Sequence, residues 1–284
     1  MRYMRALIRI VLPQRWQVRL KLALQDFDRT PPILIYQMGK VGSAAVYESL
    51  RKANIPNPIY HVHLLSYSNL DEVEHYLKKV GSKTDIISLR YWRAIRRKLD
   101  RTKTTKYLIS LVRDPVAREI SNVFQNMHFH KDLKTDTGGV NIEKTVNHLY
   151  EYFANYDEKT DYVCTWFDKE ILDSFNIDVY ASPFDQSRAY SIIGNDQAKL
   201  LLLRMENLSE VFSEAMQEFM GLSVQLVRSN ESSSKEYYEA YKTVSKRIIL
   251  PKETCEKIYS TRFFRHFYSD ELRSEYTKKW TSTD

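Results

Sequence analysis

The hydrophobic positions of the chain alternate between two kinds of segment. Ile33-Leu34-Ile35-Tyr36 is an unbroken apolar run of the kind buried on both faces of a sheet, set off by Pro31 and Pro32. A turn over residues 37–42 leads into helical spacing from Ser43 to Ala53. Ile59–Leu65 predicts a second strand, Asp71–Val80 a helix, Asp85–Leu89 a third strand and Tyr91–Arg101 a helix. Tyr107–Val112 is the fourth strand, closed by Arg113-Asp114-Pro115 and a further helix. Strand and helix in alternation predict an α/β fold, a mostly parallel sheet with helices on both faces.

From Phe124 to Tyr190 the alternation weakens and aromatic residues accumulate, which predicts a helical insertion over about residues 125–190. Leu200–Leu203 restores an apolar strand, a helix follows over 207–220, and a polar loop, Ser229–Lys235, precedes a terminal helix and an aromatic tail. At the other end, residues 1–24 carry Arg2, Arg5, Arg9, Arg15, Arg19 and Lys21 and no acid, with Met4, Leu7, Ile8 and Val11 at helical spacing. The chain therefore divides into a basic N-terminal arm, 1–30, and one domain, 31–284, that contains the insertion. Arg9 interrupts the apolar stretch too early for a secretory signal, so the arm either packs on the domain or rests on a membrane surface.

In 284 residues, 43 Lys and Arg face 36 Asp and Glu, for a net charge of +7. That surplus points to an anionic partner without choosing among nucleic acid, a phosphorylated cofactor, an acidic sugar and a membrane. Cys164 and Cys255 are too few for a disulfide framework, no Cys/His cluster has zinc spacing, and no apolar run is long enough to cross a bilayer. A reducing compartment is the expectation, the cytoplasm or the inner face of a membrane. Glycine is scarce, 7 in all, so Gly39 and Gly42 read as a demand of backbone geometry.

Those two glycines lie in Gln37-Met38-Gly39-Lys40-Val41-Gly42-Ser43-Ala44, directly after the first strand. A glycine turn running into a helix aims backbone N–H groups and the positive helix end at one point, where a phosphate can sit. Lys40 adds a full charge there and Ser43 a hydroxyl. The order departs from the nucleotide-triphosphatase loop, because the lysine precedes the second glycine. The second motif, Arg113-Asp114-Pro115-Val116-Ala117-Arg118-Glu119-Ile120-Ser121, follows the fourth strand. Asp114 is a natural N-cap and Pro115 a natural first helical residue, which stands Arg113 at the carboxyl end of a buried strand, where open α/β sheets bind ligands. An arginine there favours an anion over a magnesium ion. The alternatives are a plain glycine strand-to-helix turn with a solvated lysine for the first motif and a well-capped helix with an exposed arginine for the second.

Together, Lys40-Val41-Gly42-Ser43 and Arg113-Asp114-Pro115 with Ser121 resemble the paired signatures of the sulfotransferase superfamily, whose members use 3′-phosphoadenosine 5′-phosphosulfate (PAPS). Tyr36–Ser43, His61-Val62-His63-Leu64 and Thr165-Trp166-Phe167-Asp168-Lys169-Glu170 look like the bacterial capsular polysaccharide synthesis proteins within it. Arg265-His266-Phe267-Tyr268-Ser269 is similar to the ends of carbohydrate sulfotransferases, and Met205 departs from the pattern by taking a place often held by tyrosine. The resemblance covers about residues 31–272 and implies a P-loop-type sheet and no metal ion. It also implies that Lys40, Val41, Gly42, Ser43 and Ala44 surround the 5′-phosphosulfate, while Arg113 and Ser121 hold the 3′-phosphate. The acceptor would be a hydroxyl of a saccharide or polysaccharide, with Lys40 offsetting charge on the leaving oxygen.

A sugar hydroxyl needs a base to take its proton. His61 and His63 share one face of the second strand, since side chains two apart point the same way. His63, nearer the carboxyl end, is the expected base; His61 lies deeper, and His128 and His130 are a reserve pair. Either of the first two also reads as a core histidine. Arg90, Arg93, Arg97 and Arg101 form a helical stripe opposite Trp92, Ile95 and Leu99. The stripe is a solvated face or, through Arg90 and Arg93, a contact for an acidic glycan acceptor; it lacks the interleaved aromatics of a nucleic-acid platform. Trp166 is core or a sugar-stacking ring. A nucleotide-dependent kinase using the same loop and a non-catalytic glycan-binding relative are the alternatives.

Overall fold

An uninterrupted apolar run can be buried at every position only in a strand covered on both faces. β1, Ile33–Tyr36, is such a strand in the computed structural model, buried throughout. The described residues are Leu20, 22–227 and 237–282, so the basic arm up to Arg19 and the polar loop 229–235 lie outside them. After β1 come α1 (Ser43–Lys52), β2 (Ile59–Val62), α2 (Tyr67–Val80), α3 (Lys83–Leu99), β3 (Lys106–Val112) and α4 (Pro115–Gln125). Between α4 and the next strand lie α5 (Ile142–Ala154) and α6 (Tyr162–Trp166), the latter continuing through a π turn (Phe167–Leu172) into Asp173–Phe175. β4 (Tyr190–Gly194), β5 (Ala198–Arg204) and α7 (Leu208–Met220) follow, and α8 (Tyr238–Arg247), α9 (Lys252–Tyr259), α10 (Arg262–Phe267) and α11 (Asp270–Thr281) complete the chain.

The sheet runs β2-β1-β3-β5-β4, parallel except for the β4–β5 pair. Register sets Ile35 beside His61 on one side and Ile109 on the other. The chain leaves β1 for β2 on one side and returns by β3 on the other, which opens a crevice above the carboxyl ends of these strands.

The expected strand at Asp85–Leu89 is instead the first half of α3. Ile86 and Leu89 pack on Leu70, Val73 and Leu77 of α2, whereas Ile87 is 59% exposed. A spacing of three buries one side of a helix, and α2 and α3 pair as a helical layer on that spacing. β4 is an edge strand that the expected order lacked: it turns back on β5 through Asn195, which accepts from the N–H groups of Gln197 and Ala198.

Two buried carboxylates tie distant elements together beneath the crevice. Glu170, in the π turn, accepts from Leu65 N (2.8 Å), Ser66 N (3.0 Å), Asn69 Nδ2 (2.5 Å) and the Tyr36 hydroxyl. It thereby joins the end of β1 to the start of α2, and burial pushes its carboxyl pKa up against the lowering effect of those donors. Asp114 caps α4 through Val116 N and Ala117 N and also accepts from the Tyr259 hydroxyl (3.0 Å) and Trp280 Nε1 (2.9 Å), which anchors the aromatic tail under the sheet.

Candidate functional site

The crevice is a cleft of about 1310 Å³. β1 delivers the glycine turn to its floor, with Lys40 at φ 72° and Gly42 at φ 82°, both left-handed. Gly42 is the N-cap of α1 and has no side chain to bond the first-turn N–H groups, so Ser43 and Ala44 open the helix uncapped at the cleft. A Cβ on Gly42 would lie 3.1 Å from Met205 Cγ, so Met205 closes over the turn from the end of β5. Val41 is buried in the core, leaving only its backbone to serve a ligand.

β3 and α4 supply the other half of the floor. Arg113 Nη1 donates to the Lys40 carbonyl (3.0 Å), and Arg118 Nε donates to the Gly39 carbonyl (3.1 Å). Two guanidinium groups therefore brace the turn from one side. Arg118, Ser121, Asn122 and Gln125 all line the cleft at helical spacing, while Val116, Ile120, Val123 and Phe124 of the same helix are buried. Arg118 and Gln37 are among the site residues to which sequence reasoning gave no role. A polar stripe on an otherwise apolar helix was the readable signal for Arg118. Arg118 is itself 4% exposed, pairs with Glu119 (2.8 Å) and lies 5.0 Å from the Tyr162 ring centre.

β2 carries His61 and ends at Val62, short of the expected Leu65, so His63 stands just past the strand; Gln37, fully buried after β1, connects both to the loop. Gln37 Nε2 donates to Ser43 Oγ (2.8 Å) and stands 3.1 Å from His61 Nε2. Ser43 Oγ is 2.9 Å from the same His61 nitrogen, so the His61 lone pair faces donors already in place. His63 Nδ1 lies 3.0 Å from the Gln37 carbonyl. The Gln37 amide nitrogen is also 3.2 Å from Nδ1, but its two protons already face Ser43 and His61, so the nearer carbonyl takes the His63 Nδ1 proton and the lone pair stands on Nε2. Burial lowers both pKa values, His61 to about 4 with His63 adding to the effect. Both rings are therefore neutral near pH 7.

The opposite wall comes from the stretch between α4 and β4: His148, Glu151, Tyr152, Asp157, Asp161 and Tyr162 line it. Among the described residues that stretch gives the lining no lysine or arginine. The cleft is thus polarised, cationic at the loop and α4, acidic and aromatic at the far wall. Asp161 caps α6 through Val163 N and Cys164 N and accepts from the Tyr152 hydroxyl.

The structure thus brings Lys40, Gly42, Ser43, Ala44, His61, His63, Arg113 and Ser121 to one cleft. It does not bring Arg90 and Arg93 there. They line a separate groove on α3, and Arg93 is held by Asp71 (2.8 Å) and Glu74 (3.0 Å), so the helical stripe that suggested an acceptor contact faces away from the chemistry. His128 and His130 also lie outside the cleft lining; His130 packs on His148 with ring centres 5.0 Å apart. Trp166 is core, 1% exposed and edge-on to Tyr36 at 5.2 Å.

Over residues 132–269 the chain matches the family model described as putative capsular polysaccharide synthesis protein. The match takes in the far wall, β4, β5 and the helices through α10; the glycine turn, the histidines and Arg113 precede it. No curated protein and no solved structure matches the chain. No helix among the described residues is long and apolar enough to cross a membrane.

Proposed function

We propose that the protein is a sulfotransferase that moves a sulfuryl group from PAPS to a saccharide hydroxyl in the building of a surface polysaccharide. The similarity to capsular polysaccharide synthesis proteins supports the biosynthetic setting. The observation that carries the chemistry is convergence: the uncapped start of α1 with Lys40, the Arg113–Ser121 face of α4 and the His61–His63 pair all open onto one cleft. Such a floor fits two phosphate groups held apart, one at the helix start and one by the arginine.

PAPS supplies a sulfuryl group joined to its 5′-phosphate through an oxygen. In the proposed reaction the acceptor oxygen forms a bond to sulfur as that bridging S–O bond breaks, and the electron pair leaves on the phosphate oxygen. Gly42, Ser43 and Ala44 bind the 5′-phosphate through backbone N–H groups, since the Ser43 hydroxyl is engaged by Gln37 and His61, and Lys40 offsets the charge that builds there. Arg113 and Ser121 select the 3′-phosphate. His63 Nε2 takes the acceptor proton, whereas the Nε2 of His61 is engaged with Ser43 and Gln37 and serves to hold the loop. Asp114 offers nothing to a magnesium ion here, because backbone and ring donors already occupy both its oxygens. The far wall fits a hydroxyl-rich, uncharged sugar better than an acidic one, since a uronate or sulfate would meet Glu151 and Asp157 with only Arg118, already paired with Glu119, to answer it.

The test is a thermal-shift titration with 3′-phosphoadenosine 5′-phosphate, ATP and GTP, followed by transfer of labelled sulfate to a saccharide panel. Ligand that binds only the native state raises its melting temperature. Stabilisation by the 3′-phosphorylated nucleotide alone is expected; stabilisation by ATP alone would turn the reading towards a kinase.

A further inference from the structure

The face of α3 turned away from the cleft carries a second kind of chemistry. Ile87, Arg90, Arg97 and Arg101 are exposed in a stripe along one side of the helix and the turn that ends it, with Ala94 between them half-buried against the core. Its arginines differ from their neighbours. Arg93 pairs with Asp71 and Glu74, and Arg96 with Asp100 (2.9 Å), but Arg90, Arg97 and Arg101 make no ion pair among the described residues. Exposed aliphatic groups flank them: Ile87 is 59% exposed and Leu24, across the same groove, is 71% exposed. Lys98 Nζ donates to the Leu22 carbonyl (2.6 Å) and to that of Gln25, fastening the start of the described chain along α3. The sequence leading into that point holds Arg2, Arg5, Arg9, Arg15, Arg19 and Lys21, and its first acid is Asp26. At the rim, Asp26 and Asp28 are occupied by backbone donors, Asp28 by Lys103 N (2.7 Å) and Thr104 N (3.2 Å).

We propose that this stripe is a docking face for an anionic lipid bilayer. Unpaired arginines answer the headgroup charge, and Leu24 and Ile87 enter the interface between headgroup and acyl chain. A soluble polyanion would use the charges and have no use for two exposed aliphatic side chains. The inner side of the same helix holds Trp92 against His63, ring centres 5.5 Å apart, so docking sets the cleft about one helix diameter from the lipid. The proposal is independent of the reaction assigned to the cleft.

The experiment is co-sedimentation of the full chain with vesicles of phosphatidylcholine alone and of phosphatidylcholine mixed with phosphatidylglycerol, across a salt series. The native chain should prefer the anionic vesicles and lose the preference as salt rises. Each arginine beside such a surface gives roughly a fivefold gain, so Arg90→Gln, Arg97→Gln and Arg101→Gln combined should weaken binding on the order of a hundredfold. The exposed pair Lys278→Gln and Lys279→Gln on α11 should leave binding unchanged, and melting temperature verifies that each variant is folded. Leu24→Ser with Ile87→Ser should weaken what binding remains at high salt. Equal binding to both vesicles, native-like binding by the triple variant, or tighter binding to a soluble acidic polysaccharide than to anionic vesicles would each overturn the proposal.

Discussion

Asp114 sits inside the arginine motif of the cleft, yet its bonds point to the fold, and Asp114→Ala separates the two roles. The carboxylate is 1% exposed and accepts four hydrogen bonds: Val116 N, Ala117 N, the Tyr259 hydroxyl and Trp280 Nε1. Loss of an N-cap costs about 1 kcal/mol. Tyr259 is fully buried and Trp280 is 5% exposed, so each is left with a donor shut away from water, at about 1 to 3 kcal/mol apiece. The total is about 3 to 7 kcal/mol, and water entering the space left by the side chain favours the lower end. Against a usual stability of about 5 to 15 kcal/mol, the variant should be close to unfolded at moderate temperature. Urea denaturation followed by tryptophan fluorescence measures it. Asp114→Asn keeps one acceptor oxygen but turns an amide donor towards Ala117 N and Trp280 Nε1 or towards Val116 N and Tyr259, so it should fall between the two. A loss below about 1 kcal/mol for Asp114→Ala would refute this reasoning. So would an Asp114→Asn protein of native stability that cannot turn over, which would make the carboxylate a participant in the reaction.

Arg113→Ala should weaken a 3′-phosphorylated nucleotide far more than its dephosphorylated analogue, measured by calorimetry, because the charge-assisted contact exists only with the former; equal weakening defeats the assignment. Lys40→Ala should leave the melting temperature nearly unchanged while transfer falls on the order of a hundredfold. His63→Ala should preserve nucleotide affinity and cut single-turnover transfer by roughly a hundredfold or more, and normal turnover would move the base elsewhere. His61, at about 4 in the native state against 6.5 unfolded, binds a proton more readily once unfolded, so its contribution falls as pH drops from 6.5 towards 4. The slope is about 1.4 kcal/mol per pH unit within that window at most, and His61→Asn should flatten the difference in a series of pH-dependent melts.

What the sequence determined by itself was whatever a short stretch of chain settles locally. The apolar runs at 33–36 and 107–112, the glycine turn between Gly39 and Gly42, and the Asp114-Pro115 helix start are all where their own residues place them. The alternation of strand and helix followed around β1, β2, β3 and β5, because each of those elements announces its own period. Residues 85–89 show where that fails: Asp-Ile-Ile-Ser-Leu is too short to tell a period of two from one of 3.6, and only the presence of α2 beside it buries Leu89 and half-buries Ile86 while Ile87 stays in water. β4 likewise exists because β5 offers it an edge. The tertiary structure also decided function-bearing facts that no local pattern contains. Arg93 and Arg113 are both arginines at element ends or faces, but packing gives the first two carboxylates and the second the carbonyl of Lys40. His61 and His63 read as equivalent in the sequence, but β2 ends between them, and Gln37 and Ser43 arrive from β1 and α1 to engage one lone pair and leave the other. Long-range neighbours fix desolvation and hydrogen-bond partners, and those decide which polar group is chemistry and which is scaffold.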